Sequence, residues 1–397
     1  MSDANFENAA LPDRPGFWRV SVRSGLIHAV ERATPPASSR PPASPSDATS
    51  IDCAGRLLAP GFTDCHTHAC WAGDRLDEWQ RTLAGVPYLQ ILAEGGGIMS
   101  TVRAVRAASE SQLADLLLPR LLRLLANGST TIEIKSGYGL TTADELKMLR
   151  AIRRAAASFP GTIVPTALLG HAIDPDLPRD RFIRSIIDDA LPAVSAEFPG
   201  IAIDAYCEKG AWTPDECAEL FQAAIARGHP VRVHADQFNS LGMTPRAVAL
   251  GARSVDHLEA STPDDLAALA ASPGTFAVAL PACALHLAGP SANLAPLAAR
   301  APDRICLATN LNPGSAPCWS LALVAALAVR RCGLSPDRAL SAITTNPARL
   351  LGLHDRGVIE PGRRADLVLL HARSPAELAW GLGDSATVGV WVAGRGA

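Results

Sequence analysis

Eight short apolar, β-branched runs recur along the chain, each followed by a longer segment with helical spacing. This alternation narrows the possible fold more than any other feature. The runs are residues 57–64, 130–135, 162–169, 201–207, 231–234, 254–257, 276–280 and 305–309, and helical periodicity follows some of them at 112–125, 143–157, 214–226 and 263–271. Strand–helix repeats in that number favour a (β/α)₈ barrel of TIM type over an open sheet. Near-continuous apolar strands fit a parallel sheet covered by helices. A doubly wound sheet usually carries a glycine-rich nucleotide turn after its first strand, whereas the first strand here runs into Asp64-Cys-His-Thr-His. Gly95-Gly96-Gly97 has no strand before it and no Gly-Lys-Ser/Thr after it, so it reads as a flexible turn. The long loop from Glu78 to Ser100 that contains it is where motion is expected.

Both ends of the chain read as β structure. Residues 17–22 and 26–30 flank a Ser-Gly turn and suit a hairpin, while 35–50 is rich in Pro, Ser and Ala without periodicity and reads as an exposed, mobile loop. Residues 357–370 combine turn chemistry with an apolar strand, and 386–393 supply another. The ends are therefore expected to meet in one small β-domain, residues 1–59 with 346–397, leaving 60–345 to the barrel. Hydrophobic residues at 48% and charged residues at 19% give ample material for a core and exclude disorder across the chain. A net charge of −3 offers no electrostatic case for nucleic acid or an anionic membrane as partner. No apolar run reaches the ~18 residues of a bilayer span, and the acidic start does not suit a signal peptide. Nine cysteines without a Cys-x-x-Cys pair read as reduced thiols. The expectation is a soluble, cytoplasmic protein.

The histidines carry the chemical information. Of ten, His66, His68, His171, His234 and His257 fall at or just beyond the C-terminal ends of expected barrel strands, the face on which barrel active sites are built. His66-Thr-His68 places two imidazoles on one side of an extended segment, the arrangement by which a strand offers two ligands to one metal. A lone His-x-His is as readily core histidine, but with strand-end His234 and His257 the set points to a metal. His28, His229, His286, His354 and His371 have no such setting and read as structural or surface residues.

These residues resemble the amidohydrolase superfamily, whose first barrel strand ends in a His-x-His metal pair, as in Pro60-Gly-Phe-Thr-Asp-Cys-His-Thr-His here. Almost the whole chain resembles one family within it, the imidazolonepropionases of histidine degradation. The segments are Gly73-Asp-Arg75, Gly95-Gly-Gly-Ile-Met-Ser-Thr-Val-Arg, Glu133-Ile-Lys-Ser-Gly-Tyr-Gly-Leu and Cys207-Glu-Lys-Gly-Ala. They continue with His234-Ala-Asp-Gln-Phe, Asp256-His-Leu-Glu and Asn312-Pro-Gly-Ser. The string around Tyr138 is specific to this branch. The resemblance implies a barrel plus a β-sandwich made from both termini, usually as a homodimer. It makes His66, His68 and His234 ligands of one divalent metal, Zn²⁺ or Fe²⁺ alike, with His257 beside the water. Arg75 and Tyr88 would hold the substrate's propionate, and Tyr138 and His171 would contact its ring. A guanidinium fork suits a carboxylate, and a phenol adds a neutral donor. The implied reaction is hydrolysis of the lactam bond of 4-imidazolone-5-propanoate to N-formimidoyl-glutamate.

One position departs from that pattern. At the end of the eighth strand the family carries Asp as metal ligand and proton acceptor, whereas this chain reads Thr309-Asn310-Leu311-Asn312-Pro313-Gly314. Asn310 offers an amide oxygen to a metal but takes no proton and brings no charge. Gln237 also stands where some relatives have Glu, which leaves His257 as the obvious base. Three further readings follow from Asn310. One is an Asp→Asn form that traps substrate. The second is a non-catalytic, ligand-binding relative. The third is a changed substrate, the 2-thioxo-5-oxoimidazolidine propanoate of ergothioneine breakdown, from which sulfide leaves with less proton delivery than a ring nitrogen requires.

Overall fold

The computed structural model describes residues 3–33, 49–87, 90, 94–383 and 386–397. Most of the Pro/Ser/Ala-rich segment, and Tyr88, lie outside the described residues. The chain opens with β1 (Ala4–Leu11), β2 (Arg14–Arg23), β3 (Leu26–Arg32) and β4 (Thr49–Asp52), which form one sheet in the order β3-β2-β1-β4. The β2–β3 hairpin turns on Ser24 and Gly25, both with positive φ (50° and 83°), as a tight two-residue turn requires.

The segment expected to be one strand at 57–64 is divided. Its first half, β5 (Leu58–Pro60), leaves the barrel and joins a terminal sheet, and its second half, β6 (Phe62–Asp64), begins the barrel. Gly61 makes the crossing possible, because a Cβ there would lie 2.2 Å from Thr130 Oγ1. The barrel continues through β7 (Ser129–Lys135), β8 (Thr162–Gly170), β9 (Ala202–Cys207), β10 (Val231–Ala235), β11 (Ser254–His257), β12 (Phe276–Ala279) and β13 (Ile305–Leu307). Each strand pairs in parallel with the next, in sequence order. Helices Glu110–Ala126, Thr142–Ala156, Pro214–Ile225 and Pro263–Ala271 lie where the periodicity places them. The first begins two residues before its expected start, because Ser109 and Gln112 close a capping box. The stretch read as a loop from Glu78 to Ser100 holds most of helix Leu76–Leu83 and the start of helix Ile98–Ala107.

The barrel closes between its first and last strands by side-chain chemistry. Asp64 Oδ2 accepts the Thr309 hydroxyl at 2.6 Å and Oδ1 the Thr309 N–H at 3.2 Å. Just above, the Asn310 N–H reaches the His66 carbonyl at 3.1 Å and the His68 N–H reaches the Leu311 carbonyl at 2.9 Å. The strands are not apolar on both faces. Ile132, Ile134, Ile203, Val233 and Val255 belong to the buried hydrophobic core, while Glu133, Lys135, Asp204, Arg232 and Asp256 bond to one another across the interior. Strict alternation keeps the two sets apart.

The chain ends with β14 (Leu367–Leu370), β15 (Thr387–Val392) and β16 (Arg395–Gly396), paired with β5 in the order β16-β15-β14-β5. Phe6, Val20, Val22 and Ile27 from one end share a buried core with Leu58, Ile359, Leu367 and Leu369. Phe6 and Trp391 meet edge to face with ring centroids 4.8 Å apart. Truncating Phe6 removes a fully buried ring that joins both ends of the chain. Phe6→Ala should therefore cost about 3–5 kcal/mol, read as a lowered urea midpoint, with barrel helicity retained until unfolding.

Candidate metal centre

Four histidines converge at the C-terminal mouth of the barrel. His66 and His68 follow β6, His234 lies in β10 and His257 ends β11. His68 Nε2 stands 3.3 Å from both His66 Nε2 and His234 Nε2. Ring nitrogens of His66, His234 and His257 lie within 4.8 Å of one another, a group that could hold a metal ion. All four side chains are buried.

Carboxylates behind the rings fix their direction. His66 Nδ1 donates to Asp256 Oδ2 at 2.6 Å and His234 Nδ1 donates to Asp204 Oδ1 at 3.1 Å. Each Nε2 is thereby left as a lone pair aimed into the mouth. Burial, reinforced by the Lys135 ammonium, holds His66 well below the usual imidazole range. Burial and neighbouring His171 do the same for His68. Burial lowers His234 as well, although Asp204 opposes it. Neutral rings with converging lone pairs are the protonation state a divalent cation needs. A tetrahedral centre with ~2.0–2.1 Å metal–nitrogen bonds has ligand edges of about 3.3–3.4 Å, matching the two Nε2 separations. The donor set therefore fits a Zn²⁺- or Fe²⁺-sized ion.

Asn310 follows β13 with φ +55°, a left-handed conformation that asparagine adopts more readily than most residues. Its side chain is buried and Oδ1 has no hydrogen-bond partner. That is the condition of an acceptor awaiting a cation. Gln237 is fully engaged: Oε1 accepts the Tyr206 hydroxyl at 2.9 Å and Nε2 donates to Cys283 Sγ at 3.6 Å. His257 has φ +91°, which strains a non-glycine backbone, and its Nδ1 lies 3.3 Å from Glu259 Oε2.

The other expected contacts gather around His68. His171 stacks on it with centroids 5.1 Å apart, and Tyr138 lies 5.1 Å from His171. Burial pushes the His171 imidazole down to about 3 and raises the Tyr138 phenol, so both stay neutral. His171 Nδ1 donates to the Gly137 carbonyl at 2.9 Å, leaving Nε2 as an acceptor. Arg75 directs Nε and Nη2 at Glu78 (3.0 and 2.7 Å), while Nη1 lies 2.2 Å from where a Cβ on Gly314 would sit, so a side chain there would displace the guanidinium. Among the other histidines, His229 is a satisfied structural residue, bonded to Ile201 O and Ser195 Oγ at 2.8 and 2.7 Å.

Sequence reasoning gave no role to the residues that carry the site from below. Lys135 Nζ bridges Glu133 and Asp204 at 2.8 Å each, and Arg232 bridges Glu133 (3.3 Å) and Asp256 (2.7 Å). Burial opposes these charges, but Asp204 and Glu133 outweigh it and keep Lys135 protonated; His234 and Lys135 keep Asp204 ionised. The available signal was single charged letters at alternate positions of otherwise apolar strands. Lys135→Met would leave Glu133 and Asp204 buried without their shared cation. It should cost about 3–5 kcal/mol, seen as a lowered thermal midpoint together with loss of bound metal.

The sequence profile of the Amidohydrolase family matches residues 57–395. The chain is 46% identical to a protein named imidazolonepropionase from Deinococcus deserti, over 88% of this chain and 86% of that one. It is 45% identical to the protein of that name from Deinococcus radiodurans, over 94% and 90%. Among solved structures, a 5-methylcytosine deaminase from Klebsiella pneumoniae liganded with 5-fluorocytosine superimposes with a TM-score of 0.76 at 18% identity, covering 99% of this chain and 96% of that one. An adenosine deaminase from Xanthomonas campestris with bound zinc gives 0.66 at 19%, covering 100% and 92%. At such identities the structural likeness establishes the fold.

Proposed function

The chain belongs to the imidazolonepropionase branch of the amidohydrolase family, and from that premise we propose that it hydrolyses 4-imidazolone-5-propanoate to N-formimidoyl-L-glutamate in histidine degradation. The observation that carries the reading is the convergence of the imidazoles of His66, His68 and His234, the first and last of them oriented by Asp256 and Asp204, with the His257 imidazole beside them. We assign the catalytic unit to residues 60–345 and the composite β-sandwich to 1–59 with 346–397, although Pro60 itself pairs within the terminal sheet. His66, His68, His234 and the Asn310 oxygen would hold one divalent ion, Zn²⁺ or Fe²⁺, which when bound would lower the pKa of a water and polarise the lactam carbonyl.

The chain's own groups do the rest. Neither amide, Gln237 or Asn310, accepts a proton, so His257 is the base, and Glu259 beside its Nδ1 (3.3 Å) stabilises the imidazolium. The same proton then passes to the departing ring nitrogen. Arg75, through the Nη1 side of its guanidinium that Glu78 does not hold, and Tyr88 would take the propionate. Tyr138 donates to the ring, and His171 Nε2 accepts a ring N–H. Nine cysteines, all buried and unpaired, support a reducing, cytoplasmic setting, and no helix among the described residues is long and apolar enough to cross a membrane. The homodimer rests on the resemblance. The relatives' shared name favours the oxo ring over its 2-thioxo analogue, and the complete histidine set favours a catalyst over a trapped or non-catalytic relative.

The test is turnover of enzymatically generated imidazolone propanoate by metal-replete protein, with sulfide release from the 2-thioxo compound followed alongside. Ring loss that chelation abolishes and metal restores is the expected result, while sulfide without ring loss would overturn the reading. Arg75→Met should raise KM at least ~10-fold with a smaller change in kcat. His257→Asn should lower kcat by ~10²–10⁴ while KM moves little.

A further inference from the structure

One buried carboxylate oxygen beside the histidines has no partner. Glu259 follows the end of β11, two residues after His257, and its side chain is only 5% exposed. Its Oε2 accepts no hydrogen bond. His257 Nδ1 stands 3.3 Å from that oxygen and 3.4 Å from Oε1, whereas Asp256 closes on His66 Nδ1 at 2.6 Å. A buried carboxylate oxygen that no donor reaches is in want of a cation.

A third donor faces the same point. Cys283 lies in helix Pro281–His286, directly after β12, and is fully buried. Its sulfur, a ring nitrogen of His257 and a carboxylate oxygen of Glu259 lie within 4.8 Å of one another, a group that could hold a metal ion. The 3.3 Å between His257 Nδ1 and Glu259 Oε2 equals a ligand edge of an ion with ~2.0–2.1 Å bonds, and a thiolate binds at a longer ~2.3 Å. We propose that His257, Glu259 and Cys283 form a second cation site, suited to thiophilic divalent ions such as Cd²⁺ or excess Zn²⁺, whose occupation withdraws His257 from proton transfer. The two donor sets differ in charge. His66, His68, His234 and the Asn310 oxygen bring none, while Glu259 brings one negative charge. Cys283 brings a second when the sulfur–metal bond forms and its proton leaves to solvent. Together they neutralise a dication, and the thiolate selects soft ions over Mg²⁺ or Ca²⁺. Gln237 Nε2 already donates to the sulfur at 3.6 Å and would support the thiolate. Burial holds the thiol up at about 12, so the ion itself must displace the proton, which favours the most thiophilic cations. The His257 ring centre is 5.6 Å from that of His234 and 6.0 Å from that of His66. Ions in the two sites would repel each other, so the second fills after the first.

Binding at this site is independent of the reaction, whereas inhibition rests on the reading of His257 as the base, and the experiment reads the two separately. Protein carrying one equivalent of Zn²⁺ is titrated with Cd²⁺ while the sulfur-to-cadmium charge-transfer absorption, the zinc released and the turnover of imidazolone propanoate are followed. The native chain, Cys283→Ser and Glu259→Gln are compared. The native chain should take up one equivalent of Cd²⁺ with a charge-transfer band, retain its zinc, and lose turnover in step with the band. Cys283→Ser should lose the band, and Glu259→Gln should keep it at an affinity at least ~10-fold weaker. No band in the native chain, a band that survives Cys283→Ser, an unchanged affinity in Glu259→Gln, or Cd²⁺ uptake matched by zinc release would each overturn the site. A band with undiminished turnover would overturn the inhibitory role and with it the reading of His257 as base. Absence of turnover before any Cd²⁺ is added would overturn the proposed function, and the band would still decide the site.

Discussion

The buried ion network of Glu133, Lys135, Asp204, Arg232 and Asp256 is the interaction on which the rest of the site depends. All five side chains are between 0% and 3% exposed. In such surroundings an unpaired charge is severely destabilising, while a complete set comes close to balancing its own desolvation. The network is therefore poor evidence for added stability and good evidence for enforced geometry. Two of its carboxylates also orient metal-site imidazoles, since Asp204 holds His234 and Asp256 holds His66. Any displacement of those strands would break an ion pair and misdirect an imidazole at once.

This reverses the usual filling of a (β/α)₈ barrel, in which branched aliphatic side chains occupy the interior. Here the interior layer beneath the mouth is largely ionic on β7 and β9 to β11, while Val278 and Cys306 on β12 and β13, in register with Asp256, keep it apolar on the other side. The closing seam follows the same logic. Thr309 meets Asp64 through its hydroxyl and its N–H, and the next residues on the two sides bond His66 to Asn310 and His68 to Leu311. The join that completes the barrel thus fixes the relative height of the His-x-His pair and of Asn310.

The fold was legible wherever its cause is local. Strand runs, helical periodicity and the Ser24-Gly25 turn gave the eight barrel strands and the hairpin to within a few residues. The division at Gly61 was not legible, because it depends on Thr130, a residue that the sequence does not mark as its neighbour. The histidines were legible because each falls at a strand end, where position alone implies the mouth. Their supports were not. Lys135 meets Asp204 across 69 residues, Arg232 meets Glu133 across 99, and His66 meets Asp256 across 190. Each is one charged letter in an apolar run, and only closure of the barrel supplies the partner.

The amide at 310 has a consequence for how the work of the site is divided. The network holds three carboxylates against two cations, one net negative charge under the mouth. With Asn310 in the ligand set, no proposed ligand would bring a charge of its own to offset a dication. In so dry a setting an amide ligand would hold a cation less strongly than a carboxylate and would leave the centre more electron-poor, hence a stronger polariser of a carbonyl or a water. Where a ligating carboxylate also accepts the proton, the two roles conflict, since protonation makes it a poorer ligand. In the proposed assignment they are separated: the Asn310 oxygen would bind, and the His257 imidazole, with Glu259 beside it, would accept.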